Sequence, residues 1–403
     1  MTNAVKKAGL RIAHVMPACY EHSETFIRDI AEGLANAGFC LSIVCNRRRL
    51  VVPLPSPTGI ETVECRYLDR FSRTRHLFQA ISRAAGQKGD FAARHLDRIL
   101  SVGPLRRALC AIKPDLVYAE YGHTAVTLLP LMLKMNIPLV VHFHGWDASY
   151  CFRSAFYTQQ IQGVFAFASA VIVPAQHLKR LLVIAGACEK KIHVIPYAPR
   201  LDLISPFSWE DRKKGPPSVI FLGRLTEKKN PLALVESFAR VSKRVPKARF
   251  TIIGDGPLKV QMLRRISERG IDRVVDYRGL LEQQKALPIM ARHWVYAQHS
   301  VTSVDGDQEG LPVSILEACA SEIPVVSTIH SGIPEMIIDG VNGYLVREHD
   351  YEAMAERIAQ LLEDPMKAET MGKAGRQSGL RNYKIQDRVN AIAQLLNEAV
   401  ARP

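Results

Sequence analysis

The chain has 403 residues, 47% of them hydrophobic and 23% charged, which supplies apolar material for two medium domains and excludes a disordered or fibrous protein. Lys and Arg number 53 against 39 Asp and Glu, and the net charge of +14 predicts attraction to polyanions: nucleotides, nucleic acid or an anionic membrane face. Cys19, Cys40, Cys45, Cys65, Cys110, Cys151, Cys188 and Cys319 show no C-x-x-C spacing and no secretory signal precedes them, which argues against zinc and disulfide frameworks and for reduced thiols in the cytoplasm.

In chain order, short β-branched runs alternate with helical patterns. The runs are "LRIAHV" from Leu10, "CLSIVC" from Cys40, "DLVYA" from Asp115, "PLVVHF" from Pro138 and "AVIV" from Ala170. That rhythm predicts parallel strands covered by helices. Between the first two runs, "MPACYEHSETF" leads into a helix that Ser23 or Thr25 caps, with Glu24 either a first-turn charge or a ligand contact. From Arg47 to Arg107 the chain mixes Arg with Phe, Leu and Ile at helical spacing, which fits a bilayer with anionic lipids as well as it fits solvated helix faces. Ala125 to Phe143 is apolar, but Pro130, Lys134, Asn136 and Pro138 divide it into a helix of two to three turns and a strand from Leu139, so no membrane-spanning helix is expected. His142 is read as a packed strand histidine pointing away from His144; Trp146 as core or cleft wall; Asp147 is ambiguous.

After "HVIPYAPRLDLISPFSW", read as a linker, the rhythm restarts with "SVIFLG" from Ser218, "RFTIIG" from Arg249, "VVDYRG" from Val274, "HWVYAQ" from His293, "IPVVST" from Ile323 and "NGYLV" from Asn342. Two doubly wound α/β domains follow, and such domains bind ligands at the carboxyl ends of their strands. Three stretches lie at such ends. In "FLGRLTEKKN", Gly223 closes a strand, and Arg224 and Lys229 flank the start of a helix at Asn230-Pro231, an arrangement that grips a diphosphate. Lys228 reads as a solvated loop residue. In "IIGDGP", Gly254 and Gly256 allow the backbone a turn close to a ligand, without the third glycine of a dinucleotide fingerprint. In "EGLPVSILEACA", Pro312 opens a helix running to about Ala320, whose free N–H groups near Leu311 to Ser314 favour an anion. Glu309 on the incoming loop and Glu317 on the helix then offer carboxylates at two depths, suited to the hydroxyls of a sugar nucleotide; the alternatives are a cap and a salt bridge. Asp305 and Asp307 form a D-x-D, but Arg224 and Lys229 already supply the charge a metal would bring, so no metal is expected. The tail "YKIQDRVNAIAQLLNEAVARP" is an amphipathic helix with Val389, Ile392, Leu395, Leu396 and Val400 on its apolar side.

Together "GRLTEKKN", "IIGDGP", "DGDQEGLPVSILEACA", "IPVVST", "SGIPEMI" and "DGVNGYLV" resemble family 4 of the retaining glycosyltransferases, of GT-B fold. "SETFIRDIAEGLANAGF" and "HFHGWDAS" resemble its bacterial exopolysaccharide and colanic-acid-type members. The resemblance implies an acceptor-binding domain over 1–200, a nucleotide-sugar-binding domain over 201–382 and a helix over 383–403 crossing back to the first domain. It implies sugar transfer from a UDP- or GDP-sugar to a saccharide acceptor linked to a polyprenyl diphosphate, on the inner face of the cell membrane, with retention, no cofactor and no nucleic-acid partner. It places His144, Glu309, Arg224 and Lys229 at the reacting centre. Gly223, Gly254, Gly256, Arg278, Gly310, Leu311, Pro312 and Glu317 would hold the donor, and Ser23, Glu24 and Thr25 the acceptor. Many family members carry a glycine-rich loop after the first strand; this chain has Ser23 and Glu24 there instead. A sugar-nucleotide epimerase of the same fold and a non-catalytic polyanion-binding protein are the competing readings.

Overall fold

A computed structural model describes residues 9–18, 25–47, 60–64, 102–205 and 207–401. The chain divides into two compact units, one made of residues 1–173, 179–195 and 389–403, the other of 174–178 and 196–388. Within the first, strands β1 (Arg11–Ala18), β2 (Cys40–Arg47), β3 (Glu61–Glu64), β4 (Leu116–Glu120), β5 (Leu139–His142), β6 (Ala170–Val173) and β7 (Ile192–Val194) form one parallel sheet in the order β3-β2-β1-β4-β5-β6-β7. β4, β5 and β6 are buried along their whole length, as strands covered on both faces must be.

The second unit holds β8 (Ser218–Leu222), β9 (Arg249–Ile253), β10 (Val275–Gly279), β11 (Val295–Ala297), β12 (Val325–Thr328) and β13 (Gly343–Val346), parallel, in the order β10-β9-β8-β11-β12-β13. Its core stacks Val219, Phe221, Phe250 and Ile252 from the sheet against Leu234, Phe238 and Val241 of the helix Pro231–Arg244 and Met354, Ile358 and Leu361 of the helix Tyr351–Glu363. In each sheet the strand order reverses once, between β1 and β4 and between β8 and β11. Diverging connections leave room for ligands at those two points. Both units are thus doubly wound parallel α/β domains, as the strand rhythm predicts.

All eleven strands expected from the sequence are present. β3 and β7 are additional: β7 has three residues and falls at the start of the stretch read as a linker, too short to show a period. Pro130 sits inside the helix Gly122–Met135, which runs for 14 residues rather than two to three turns; burial of Ala125, Leu128, Leu129 and Met132 outweighs the proline's cost. Asn136, left-handed at φ 52°, ends that helix. The last helix, Ile385–Ala401, buries Val389, Ile392, Leu395 and Leu396, and from Val389 onward it belongs to the first unit, where Val389 packs on Gly33. No helix among the described residues is long and apolar enough to cross a membrane. Most of the basic stretch 47–107 lies outside the described residues, as do Ser23 and Glu24; Thr25 is the first residue of the helix Thr25–Asn36.

Candidate functional site

In the second unit the carboxyl ends of β8, β11 and β12 bring together most of the residues the sequence singled out. β8 stops at Leu222, and Gly223 donates its N–H to Ile253 at the end of β9. The following loop carries Arg224, exposed and without a carboxylate partner among the described residues. Lys229 precedes Asn230, whose side chain accepts from Ala233 N–H and caps the helix Pro231–Arg244. The Lys229 Nζ is 3.1 Å from Glu309 Oε1, both side chains largely buried. Burial would by itself raise the Glu309 carboxyl, but Lys229, then Lys228, outweigh it and hold it at about 2. Burial lowers Lys229, against the opposing pull of Glu309.

Pro312 is the cap of the helix Val313–Ala320 rather than its first residue, and Leu311 and Pro312 are buried beside it. Glu317 is buried on that helix and accepts from Gln283 Nε2 at 2.5 Å. Behind this helix runs a chain of buried hydrogen bonds. The Tyr296 hydroxyl lies 2.8 Å from both Gln298 Oε1 and Ser314 Oγ, Gln298 Nε2 donates to Ser300 Oγ at 2.7 Å, and Lys229 Nζ reaches Gln298 Oε1 at 3.4 Å. Burial pushes the Tyr296 phenol well up, with Glu317 and Glu309 adding to it, so this hydroxyl stays protonated. Tyr296, Gln298, Ser300 and Ser314 form a buried polar network that sequence reading passed over; the period-two spacing of Tyr296, Gln298 and Ser300 on β11 and just beyond it was the available signal.

One expectation changes here. Lys228 is not solvated: it is buried, pairs with Asp307 Oδ1 at 3.0 Å and donates to Gln308 O at 3.3 Å. Asp307 is thereby committed to an ammonium group, while Asp305 accepts from Ser303 Oγ at 2.5 Å. Gly254 and Gly256, at φ 145° and 157°, serve the packing of two loops: a Cβ on Gly254 would strike Gly223 O and one on Gly256 would strike Leu225 O. Arg278 stands on the edge strand β10, about half exposed, with its guanidinium on Asp276 at 2.6 Å.

The first unit has its own polar cluster at the corresponding strand ends. Register pairs His14 with Tyr118 and Glu120 with His142, all on one face of the sheet. His142 and His144 do not point to opposite faces; two residues apart, they share one, with rings 4.5 Å apart. Glu120 is fully buried, with Oε1 2.7 Å from His14 Nε2 and Oε2 2.7 Å from His144 Nε2. The Tyr118 hydroxyl is 2.8 Å from His142 Nδ1. Burial would raise Glu120, but the field of His142 and the hydrogen bonds from His14 and His144 outweigh it and hold the carboxyl well below its ordinary value. Glu120, His142 and His144 offer a donor set that suits zinc. Two donors on a tetrahedral zinc would lie roughly 3.3 Å apart. Within that set the His144 Nε2–Glu120 Oε2 separation of 2.7 Å is that of a hydrogen bond, while His142 Nδ1 stands 3.5 Å from the same oxygen.

Asp147, undecided from sequence, is buried and accepts from His144 N–H and Gly122 N–H, both at 2.8 Å, pinning the His144 backbone to the start of the helix Gly122–Met135. Trp146 is not core; it is 39% exposed and stacks on Tyr150.

Two family models match the chain: glycosyl transferases group 1 over residues 207–378 and glycosyl transferase 4-like domain over residues 23–198. The chain is 29% identical over 301 residues to WcaL of Escherichia coli K12, named as a colanic acid biosynthesis glycosyltransferase, an alignment spanning 72% of this chain and 73% of WcaL. It is 35% identical over 184 residues to a GDP-mannose-dependent phosphatidylinositol monomannoside mannosyltransferase of Mycolicibacterium smegmatis, 45% of this chain and about half (48%) of that protein. In fold it is similar to Anabaena HepE, solved with UDP and glucose, with a TM-score of 0.74 over 96% of this chain and 100% of HepE at 19% identity.

Proposed function

Because the chain belongs to the group 1 and 4-like glycosyltransferases, we propose that it moves a sugar from a nucleoside-diphosphate sugar, UDP or GDP, to a saccharide acceptor, with the anomeric configuration retained. The observation that carries this reading is the grouping of Arg224, the Lys229–Glu309 ion pair and the start of the helix Val313–Ala320 at the point where strand order reverses between β8 and β11. The diphosphate is held by Arg224, Lys229 and the N–H groups at that helix start, and Glu309 and Glu317 take hydroxyls of the sugar and ribose. Breaking the anomeric bond builds negative charge on the leaving diphosphate, so cations fixed in advance stabilise the transition state more than the ground state. In the first unit His144, with Nε2 on Glu120, is assigned to the reaction by the family resemblance. No metal is required, Lys228 already occupying Asp307.

The colanic acid relative and the lipid-linked substrate named for the mycobacterial one support an acceptor carried on a lipid, in synthesis of a bacterial surface glycan at the inner membrane face. A panel of nucleoside diphosphates in thermal-shift titration tests the donor site: UDP or GDP raises the melting temperature of wild type and not of Arg224→Ala or Lys229→Ala. NMR of the product tests the stereochemistry, and an inverted anomer would reject retention.

A further inference from the structure

The main chain of Glu309 is held at both its groups by the loop after β12. Its N–H donates to His330 Nε2 at 3.1 Å, and its carbonyl accepts from the Ser331 hydroxyl, which also reaches Gly310 O at 3.3 Å. Gly332 completes the fit, since a Cβ there would lie 2.7 Å from Gly310 O. A nitrogen that accepts from a backbone N–H cannot carry a proton of its own. The His330 proton therefore sits on Nδ1, which faces Glu348 Oε1 at 2.7 Å, and Glu348 is itself fixed by Thr302 N–H on Oε2 at 2.9 Å. His330 is 2% exposed, so water does not replace these partners.

We propose that His330 is a positioning residue for the transfer reaction: as an imidazole oriented by Glu348, it sets the Glu309 backbone. Glu309 and Glu348 are the two carboxylates that this imidazole joins, one through its backbone N–H and one through its side chain. The inference rests on Glu309 being a donor contact; full activity of Glu309→Gln would sink that reading, whereas full activity of a His330 variant sinks only this one.

The test compares two carboxamides in the full chain. In His330→Gln the side-chain oxygen reaches the place of Nε2 and accepts from Glu309 N–H without titrating; in His330→Asn it does not reach. The expected result is a loss of tenfold or more in kcat/KM for the donor in His330→Asn and recovery to within about threefold of wild type in His330→Gln. Thermal melts of both variants monitor folding, and His330→Gln carries the test if His330→Asn does not fold. Wild-type kcat/KM in His330→Asn overturns the proposal, as do equal losses in the two variants or a loss of tenfold or more in His330→Gln.

Discussion

Each unit buries a carboxylate near the carboxyl ends of its strands, Glu120 in one and Glu309 in the other, but the partners differ. Glu120 in the first unit is held by imidazoles, and Glu309 in the second by the Lys229 ammonium with Lys228 close behind. A buried carboxylate costs several kcal/mol unless paired, so both solve the same problem. Lysine keeps its charge across the working pH range of an enzyme, which makes the Glu309 pair a permanent electrostatic fixture. The Glu120 cluster instead fixes its carboxylate through imidazole hydrogen bonds. The second unit answers a buried charge with a cation, and the first with imidazoles.

The sharpest break of this contrast is at the fixed pair. Lys229→Ala or Glu309→Gln should lower kcat by about a hundredfold to a thousandfold, the usual cost of one preorganised group, in steady-state transfer assays. A loss below tenfold in both would remove the charge-holding role from the second unit. Arg224→Ala should cost roughly a hundredfold, with added salt weakening donor affinity less in the variant than in wild type, because the exposed guanidinium is the contact most open to screening. Glu120→Gln should cost on the order of tenfold and, unlike the changes in the second unit, alter the pH profile of kcat. A profile that merely scales down would mean that the imidazole cluster is scaffold.

The smallest effect concerns stability alone. Burial depresses His293 and His299 to about 4, so they are neutral when folded at pH values where the unfolded chain is already binding protons. The sign follows from linkage: the stability they contribute is complete above the unfolded value of about 6.5 and is lost as pH falls from there toward 4. Melting temperature should fall over that window, and His293→Gln should flatten part of the fall. An unchanged slope in His293→Gln would assign the acid sensitivity elsewhere.

The sheets were legible because parallel strands covered on both faces leave continuous apolar runs; β3 and β7, four and three residues long at sheet edges, leave none. Arg224, Lys229, Glu309 and Glu317 stood out because charge at the end of an apolar run is costly and therefore informative. Their supports did not. Tyr296, Gln298, Ser314 and His330 are common polar residues whose importance lies in contacts spanning tens of positions, such as the link from His330 back to Glu309. Lys228 and Lys229 are adjacent and chemically identical, and only the fold shows that they face different acids. His142 and His144 illustrate a simpler point, that residues two apart on an extended segment share a side.

The buried bond between Lys228 and Asp307 has a consequence for how this protein can change. It rivets the turn after β8 to the segment that delivers Glu309, and it fills with a tethered cation the place where a diffusible one would dock. A lineage that recruited magnesium at this aspartate would first have to evict the lysine, loosening the very strap that carries its neighbour.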